Sequence, residues 1–315
     1  MSDGDLHVVF GTGQVGRALA AELAGSGHAV RAVSQRRPRD LDERVDWRAV
    51  DVTDLEATAG AAKGAAVIYQ CLNAPYTKWP KLFPPLQHSI ISAAAIAGAL
   101  LVSLENVYGY GPTRGAPMRE DHPLAATTVK GRTRAEMTRE LLTACETGRI
   151  RIAIGRASDF FGAGVTESTL GERVFAKALA GKPVDFLGDP TLPHTYSYVP
   201  DIAAGLATLG TDERAIGQVW HLPGPETVTT RQVLDLIADQ IGQPVTVRSM
   251  PDLLVRALGV VSPMMKGLAE MTYQFEEPFT LDTTRYESTF GAAGTRLTDA
   301  VADTLTWYRD SVAVR

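Results

Sequence analysis

Short apolar runs alternate with stretches of helical spacing through the first half of the chain. Leu6–Phe10 is a continuous apolar-rich run closed by Gly11, and Gln14–Gly25 then carries Val15, Leu19 and Leu23 at four-residue intervals. Further strands are predicted at Ala29–Val33, Asp46–Val50, Ala66–Cys71, Leu100–Leu104 and Arg151–Arg156, and helices over Pro84–Gly98 and Gly131–Thr147. Strand, helix, strand in this order implies parallel strands joined by crossovers. Strands apolar on both sides imply a sheet covered on both faces. The second half is less regular. Helices are expected at Leu170–Ala180, Thr229–Ile241 (with Thr230 as N-cap) and Asp299–Tyr308, and strands at Pro183–Leu187 and Val219–Leu222. The Leu-, Val- and Met-rich segment Asp252–Tyr273 reads as a helical cover over a pocket. The fold class is therefore α/β: a Rossmann doubly wound parallel sheet over residues 1–160, joined by parts of 195–222. Residues 161–315 form mainly a smaller, substrate-binding lobe.

Composition narrows the function. A net charge of −5 offers no basic patch for a nucleic acid. The two cysteines, Cys71 and Cys145, lie in apolar contexts and read as buried free thiols. The acidic N-terminus is unlike a signal peptide, and no apolar stretch is long enough to suggest a membrane span, so a cytoplasmic location is expected. The six histidines are scattered without ligand spacing, so no metal is expected; His7 and His28 read as surface or turn residues. No G-x-S-x-G elbow or Walker loop is present.

Gly11-Thr12-Gly13-Gln14-Val15-Gly16 is a G-x-G-x-x-G loop between the first strand and the first helix. Its glycines permit the turn, the close approach of a pyrophosphate and the packing of helix on strand. The end of the second strand carries Ser34, Arg36 and Arg37, with no acid before Asp40. A hydroxyl and two guanidinium groups suit a 2′-phosphate, which favours NADP(H) over NAD.

Further along come Asp51-Val52-Thr53-Asp54, Val107-Tyr108-Gly109, Arg156 with Phe161-Gly162-Ala163-Gly164, and Tyr198-Val199-Pro200-Asp201-Ile202-Ala203. In this order and spacing the chain resembles the extended short-chain dehydrogenases/reductases, the sugar-nucleotide epimerases and dehydratases. The resemblance implies cofactor contacts from the glycine loop, from Asp51 and Val52, and from Leu72 and Asn73 after the fourth strand. It also implies a catalytic Ser or Thr, a Tyr, and a Lys four residues after the Tyr. All three have changed here: Leu104, Lys130 and Arg134 stand in those places. The arginine that grips a substrate diphosphate is missing around His194-Thr195-Tyr196-Ser197-Tyr198.

Lysine and tyrosine have similar intrinsic acidity, about 10.4 and about 10. Lys130 is therefore one candidate proton donor, Tyr108 a second, and Lys130 is equally a candidate cofactor contact. Arg134 and Asn106 complete the candidate catalytic set, and Glu105, Asn106 and Tyr110 are read as sharing a loop. Tyr76, Trp79, Tyr110, Phe160, His194 and Tyr196 suggest an aromatic substrate pocket. The charged run Arg132–Arg139 reads as a solvated helix face. The expected activity is NADP(H)-dependent reduction of a carbonyl on a small apolar or aromatic molecule. The alternatives are a non-catalytic NADP(H) sensor and a sugar-nucleotide epimerase or dehydratase. A homodimer through the helices at 84–98 and 131–147 is also expected.

Overall fold

The computed structural model describes residues 4–250 and 263–313. The chain divides into two units. The first comprises Met1–Gly109, Lys130–Ala157 and Ile202–Leu222, and the second comprises Tyr110–Val129, Ser158–Asp201 and Pro223–Arg315.

The first unit is built on a seven-stranded parallel sheet of order β11-β6-β5-β4-β1-β2-β3. Its strands are β1 (Leu6–Phe10), β2 (Ala29–Ser34), β3 (Asp46–Ala49), β4 (Ala65–Gln70), β5 (Leu100–Asn106), β6 (Arg151–Ala157) and β11 (Val219–His221). Val8, Phe10, Ile68, Leu101, Ile152 and Ile154 are sealed in its core. Helix α1 (Gln14–Gly25) buries Val15, Leu19 and Leu23 on one stripe, as the spacing predicts. Helices α2 (Leu55–Ala62), α3 (Trp79–Ala97) and α4 (Val129–Glu146) follow as the crossovers require.

Several boundaries differ from expectation for identifiable reasons. Strand β5 continues through Glu105 and Asn106, so these two are not loop residues. Glu105 lies across from Arg156 in the β5–β6 register, and the buried pair makes two charges tolerable in a core strand. Helix α3 starts five residues before Pro84, because Trp79 is buried against Phe83 and its Nε1 donates to the Ala74 carbonyl at 3.0 Å. His7 is not a surface residue. It is fully buried beside the Tyr69 hydroxyl, 3.0 Å from its Nδ1. Within the charged run, Arg132, Glu136 and Arg139 are exposed but Arg134 is buried. Cys71 and Cys145 are free and only half-buried as residues, though the enclosed Cys71 thiol is pushed up to about 12 by burial.

The second unit holds β7 (Asp159–Phe161), β8 (Val184–Leu187), β9 (Pro193–His194), β10 (Tyr196–Tyr198), β12 (Val228–Thr229) and β13 (Val247–Met250), in three two-stranded pairings. Its helices include α5 (Glu172–Leu179), α7 (Thr230–Ile241), α8 (Pro263–Ala269), α9 (Thr284–Phe290) and α10 (Leu297–Ala313); α6 (Val199–Thr211) begins in this unit and continues into the first. Phe161, Phe175, Tyr196, Val233 and Leu305 lie in its core. The N-cap of α7 is Thr229, not Thr230. Thr229 is extended and forms a capping box with Gln232, whereas the Thr230 hydroxyl is 2.7 Å from that of buried Tyr196. Residues 252–262 of the expected pocket cover lie outside the described residues; the remainder includes α8 and the start of a short 3₁₀ turn at Thr272–Phe275. Among the described residues, no helix is long and apolar enough to cross a membrane, and no group of side chains could hold a metal ion.

Candidate cofactor and active site

The glycine loop has the shape a dinucleotide phosphate needs. Gly11 adopts φ +98°, and a Cβ there would lie 2.5 Å from the Cys71 carbonyl oxygen. A Cβ on Gly16 would fall 1.9 Å from the Gly11 oxygen, so α1 packs directly on the turn. Gly13 is the opposite case: it caps α1 without a side-chain bond, and its missing Cβ would meet nothing within 4 Å. The loop therefore leaves an open cradle at the N-terminus of α1, where an anionic group fits. Gln14 and Thr12 flank it, both half-buried.

The end of β2 is basic and open. Arg36 and Arg37 are exposed, and the Ser34 hydroxyl donates to the Arg36 carbonyl at 2.8 Å. The nearest acid downstream, Asp40, is engaged by Arg17 at 2.8 Å. Asp51 accepts from the Thr53 amide at 3.0 Å and its hydroxyl at 2.8 Å, and these bonds lower its pKa. Val52 is buried, Leu72 half-buried and Asn73 exposed at the end of β4.

At the start of α4, cations and aromatic rings interleave. The Lys130 ammonium lies 4.1 Å from the Tyr76 ring centre. Tyr76 meets Trp79 edge-on at 5.4 Å, and Trp79 stacks on Tyr108 at 5.9 Å. Arg134, one turn on, lies 5.0 Å from the Phe83 ring, and its Nη2 donates to the Leu104 carbonyl at 3.3 Å. Burial first, then Arg156, lowers the Arg134 pKa, while Glu105 and Tyr108 act the other way. Asn106 spends its side-chain oxygen on the Tyr108 amide at 3.2 Å, which shapes the turn after β5. The structure thus brings together Lys130, Arg134, Tyr76, Trp79 and Tyr108. Tyr110 belongs to the second unit, buried edge-on against His122.

Sequence reasoning missed one group here. Glu105, Arg156 and Thr138 form a buried cluster: Glu105 Oε2 is 3.2 Å from Arg156 Nε and accepts from the Thr138 hydroxyl at 2.8 Å. Its only sequence signal was the pairing of a strand acid with a strand arginine on adjacent strands.

In the second unit, His194 is buried in stacks with Tyr196 at 4.5 Å and Phe275 at 5.4 Å. Its Nε2 stands 3.3 Å from Asp159 Oδ2, which also accepts from the Thr169 hydroxyl at 3.1 Å. Phe160 is half-buried beside this acid. Tyr196 is a core residue, and burial raises its phenol pKa.

Comparison with known proteins bears on the family and the fold. Many solved structures match the chain, three of them as follows. A dTDP-glucose 4,6-dehydratase from Bacillus anthracis, solved with NAD, gives a TM-score of 0.82 at 13% identity, covering 98% of each chain. A UDP-glucuronic acid 4-epimerase from Bacillus cereus, with UDP-glucuronic acid and NAD, gives 0.78 at 16% identity over 97% of this chain and 99% of its own. The epimerase Mth375 from Methanothermobacter thermautotrophicus gives 0.82 at 16% identity over 99% of this chain and 94% of its own. These share the fold. No curated protein matches the chain. The model of the NAD dependent epimerase/dehydratase family matches residues 8–222, from β1 to the end of the first unit, and the chain belongs to that family.

Proposed function

We propose that the protein is an NADP(H)-dependent oxidoreductase that reduces a carbonyl on a small apolar or aromatic molecule without the usual tyrosine–lysine pair. The observation that carries the reading is the cluster at the start of α4, where Lys130 and Arg134, which the resemblance aligns with the family's tyrosine and lysine, lie among Tyr76, Trp79, Phe83 and Tyr108. The preference for a 2′-phosphate rests on Ser34, Arg36 and Arg37, with Asp40 held by Arg17. The dinucleotide, once bound, supplies the hydride. The glycine loop orients its phosphates, and Lys130 holds a proton at Nζ for the carbonyl oxygen. Tyr108 is the second candidate donor. The aromatic rings give an apolar substrate a surface and keep water away from the ammonium.

A second reading, an epimerase- or dehydratase-type reaction with retained cofactor, draws on the family and on the NAD-bound relatives. The missing diphosphate arginine near His194 counts against a nucleotide sugar.

The test is titration with NADPH and NADH, then a panel of aromatic ketones while the absorbance of the reduced cofactor is followed. NADPH should bind at least about tenfold tighter, a difference of about 1.4 kcal/mol, and Arg36→Ala with Arg37→Ala should remove that margin. Lys130→Ala should slow ketone-dependent oxidation roughly 10²- to 10⁴-fold, the usual worth of a positioned acid. Tighter NADH binding overturns the cofactor assignment. Tight NADPH binding without turnover moves the reading to a sensor, and catalysis without net oxidation favours the epimerase.

A further inference from the structure

The second unit holds an acid–imidazole pair that the chemistry above does not use. Asp159 opens β7, and its register partner on β10 is Tyr196. Its Oδ2 accepts from the Thr169 hydroxyl at 3.1 Å and lies 3.3 Å from His194 Nε2, without an aligned hydrogen bond to that nitrogen. The imidazole is clamped by three rings: Tyr196 at 4.5 Å, Phe279 at 5.2 Å and Phe275 at 5.4 Å. Tyr273 continues the group edge-on to Phe279, and its buried hydroxyl has no hydrogen-bond partner among the described residues. Burial first, and then the Asp159 charge, raises the Tyr273 phenol pKa. All of these residues belong to the second unit.

Three features set the charge that such a place selects. The Asp159 side chain is 13% exposed and that of His194 only 4%, so the acid is the member of the pair that a ligand reaches. Both of its contacts use Oδ2, which leaves Oδ1 for a ligand. Among the described residues, no lysine or arginine pairs with the carboxylate. A carboxylate among aromatic rings attracts a cation through its own charge and through the ring faces. The same charge repels an anion.

We propose that Asp159 is a specificity-determining residue, and that its carboxylate takes a protonated amine carried on the apolar or aromatic substrate. His194 and Thr169 hold the carboxylate from the Oδ2 side. The inference rests on the reading of the second unit as the substrate lobe, and it adds the charge that the lobe selects. That sign is opposite to a diphosphate grip, in keeping with the arginine missing around His194.

The test uses the full chain and three para-substituted acetophenones of similar size: aminomethyl, hydroxymethyl and carboxy. Binding is read by calorimetry with NADP⁺ present, which cannot reduce a ketone, and turnover separately with NADPH. The aminomethyl ketone should bind at least about tenfold tighter than the carboxy ketone, since one meets an opposite charge and the other a like charge. The hydroxymethyl ketone should fall between them. Asp159→Asn, nearly isosteric, should abolish the preference for the cation and leave NADPH affinity unchanged. Should Asp159→Asn fail to fold, Asp159→Ser, shorter and uncharged, carries the same expectation. Equal affinities in the unmodified protein, tighter binding of the carboxy ketone, or no binding of any of the three overturns the inference. A cation preference that survives loss of the carboxylate overturns it too. If the aminomethyl ketone binds as expected but no NADPH is oxidised, the reductase reading falls and the site stands. If neutral ketones are reduced and no charge preference appears, the reductase reading stands and the site falls.

Discussion

Gly16 and Gly13, two glycines of one loop, are required for different reasons. A methyl group on Gly16 collides with the Gly11 oxygen, so Gly16→Ala forces α1 off the turn. Overpacking of this kind costs about 1–3 kcal/mol, and both denaturant midpoint and cofactor affinity should fall. Gly13 has ordinary φ of −68° and open space where its Cβ would go. Gly13→Ala should therefore shift unfolding by less than about 0.5 kcal/mol, yet weaken NADPH by filling the cradle. Parallel urea unfolding and NADPH titration separate the two; equal stability loss in both variants would show that Gly13 is a packing residue. The loop was legible in the sequence because its spacing is local. The Glu105–Arg156 pair was not, because its partners are 51 residues apart and a charge in a strand imitates a strand end. His7 was misread for the same reason, its partner Tyr69 being 62 residues away.

Elements were legible where periodicity was strong and less so where a side chain settles the boundary. Helix α1 and strand β1 lie where the pattern puts them, since an apolar stripe and an apolar run need no distant partner. Helix α3 runs through Pro84 and Pro85, which sequence alone treats as its start; the buried Trp79–Phe83 contact holds the extra turn against the proline cost. The N-cap of helix α7 lies one residue before the expected Thr230. Two adjacent threonines could each cap it, and only geometry distinguishes them. Thr229 accepts from the Gln232 amide at 3.1 Å, while the Thr229 amide donates to Gln232 Oε1 at 2.8 Å. Thr229→Ala should cost about 1 kcal/mol, measured by urea unfolding, and Thr229→Asp should retain most of that stability. Thr230→Asp should not be tolerated in this way, because Thr230 is buried against the Tyr196 hydroxyl and an added charge there has no water. Equal tolerance of aspartate at both positions would contradict the assignment of the cap.

Across the first unit, the buried His7 couples the sheet to the pH of the medium. His7 on β1 bonds Tyr69 on β4, and the Tyr69 hydroxyl fills the space where a Cβ on Gly210 of α6 would sit, 1.9 Å away. The histidine thus lies inside a contact that joins two strands and a helix. Its pKa is lowered to about 4, first by burial and then by neighbouring His28, with Asp5 opposing. The unfolded chain titrates near 6.5, so between about 6.5 and 4 the unfolded state binds the extra proton. Stability is therefore full above that window and is lost as the pH falls through it. Asp42, Asp46, Asp51 and Asp185 have lowered values, so their contributions disappear only at lower pH, below the ordinary 3.8. Asp201, raised by burial, acts in the opposite sense. The melting temperature should accordingly fall from pH 7 to pH 4.5, ahead of the carboxylates. His7→Asn keeps a polar partner for Tyr69 but cannot titrate. It should be less stable than the parent at pH 7, and the gap should narrow at pH 4.5. A gap that stays constant with pH would remove His7 from the acid response.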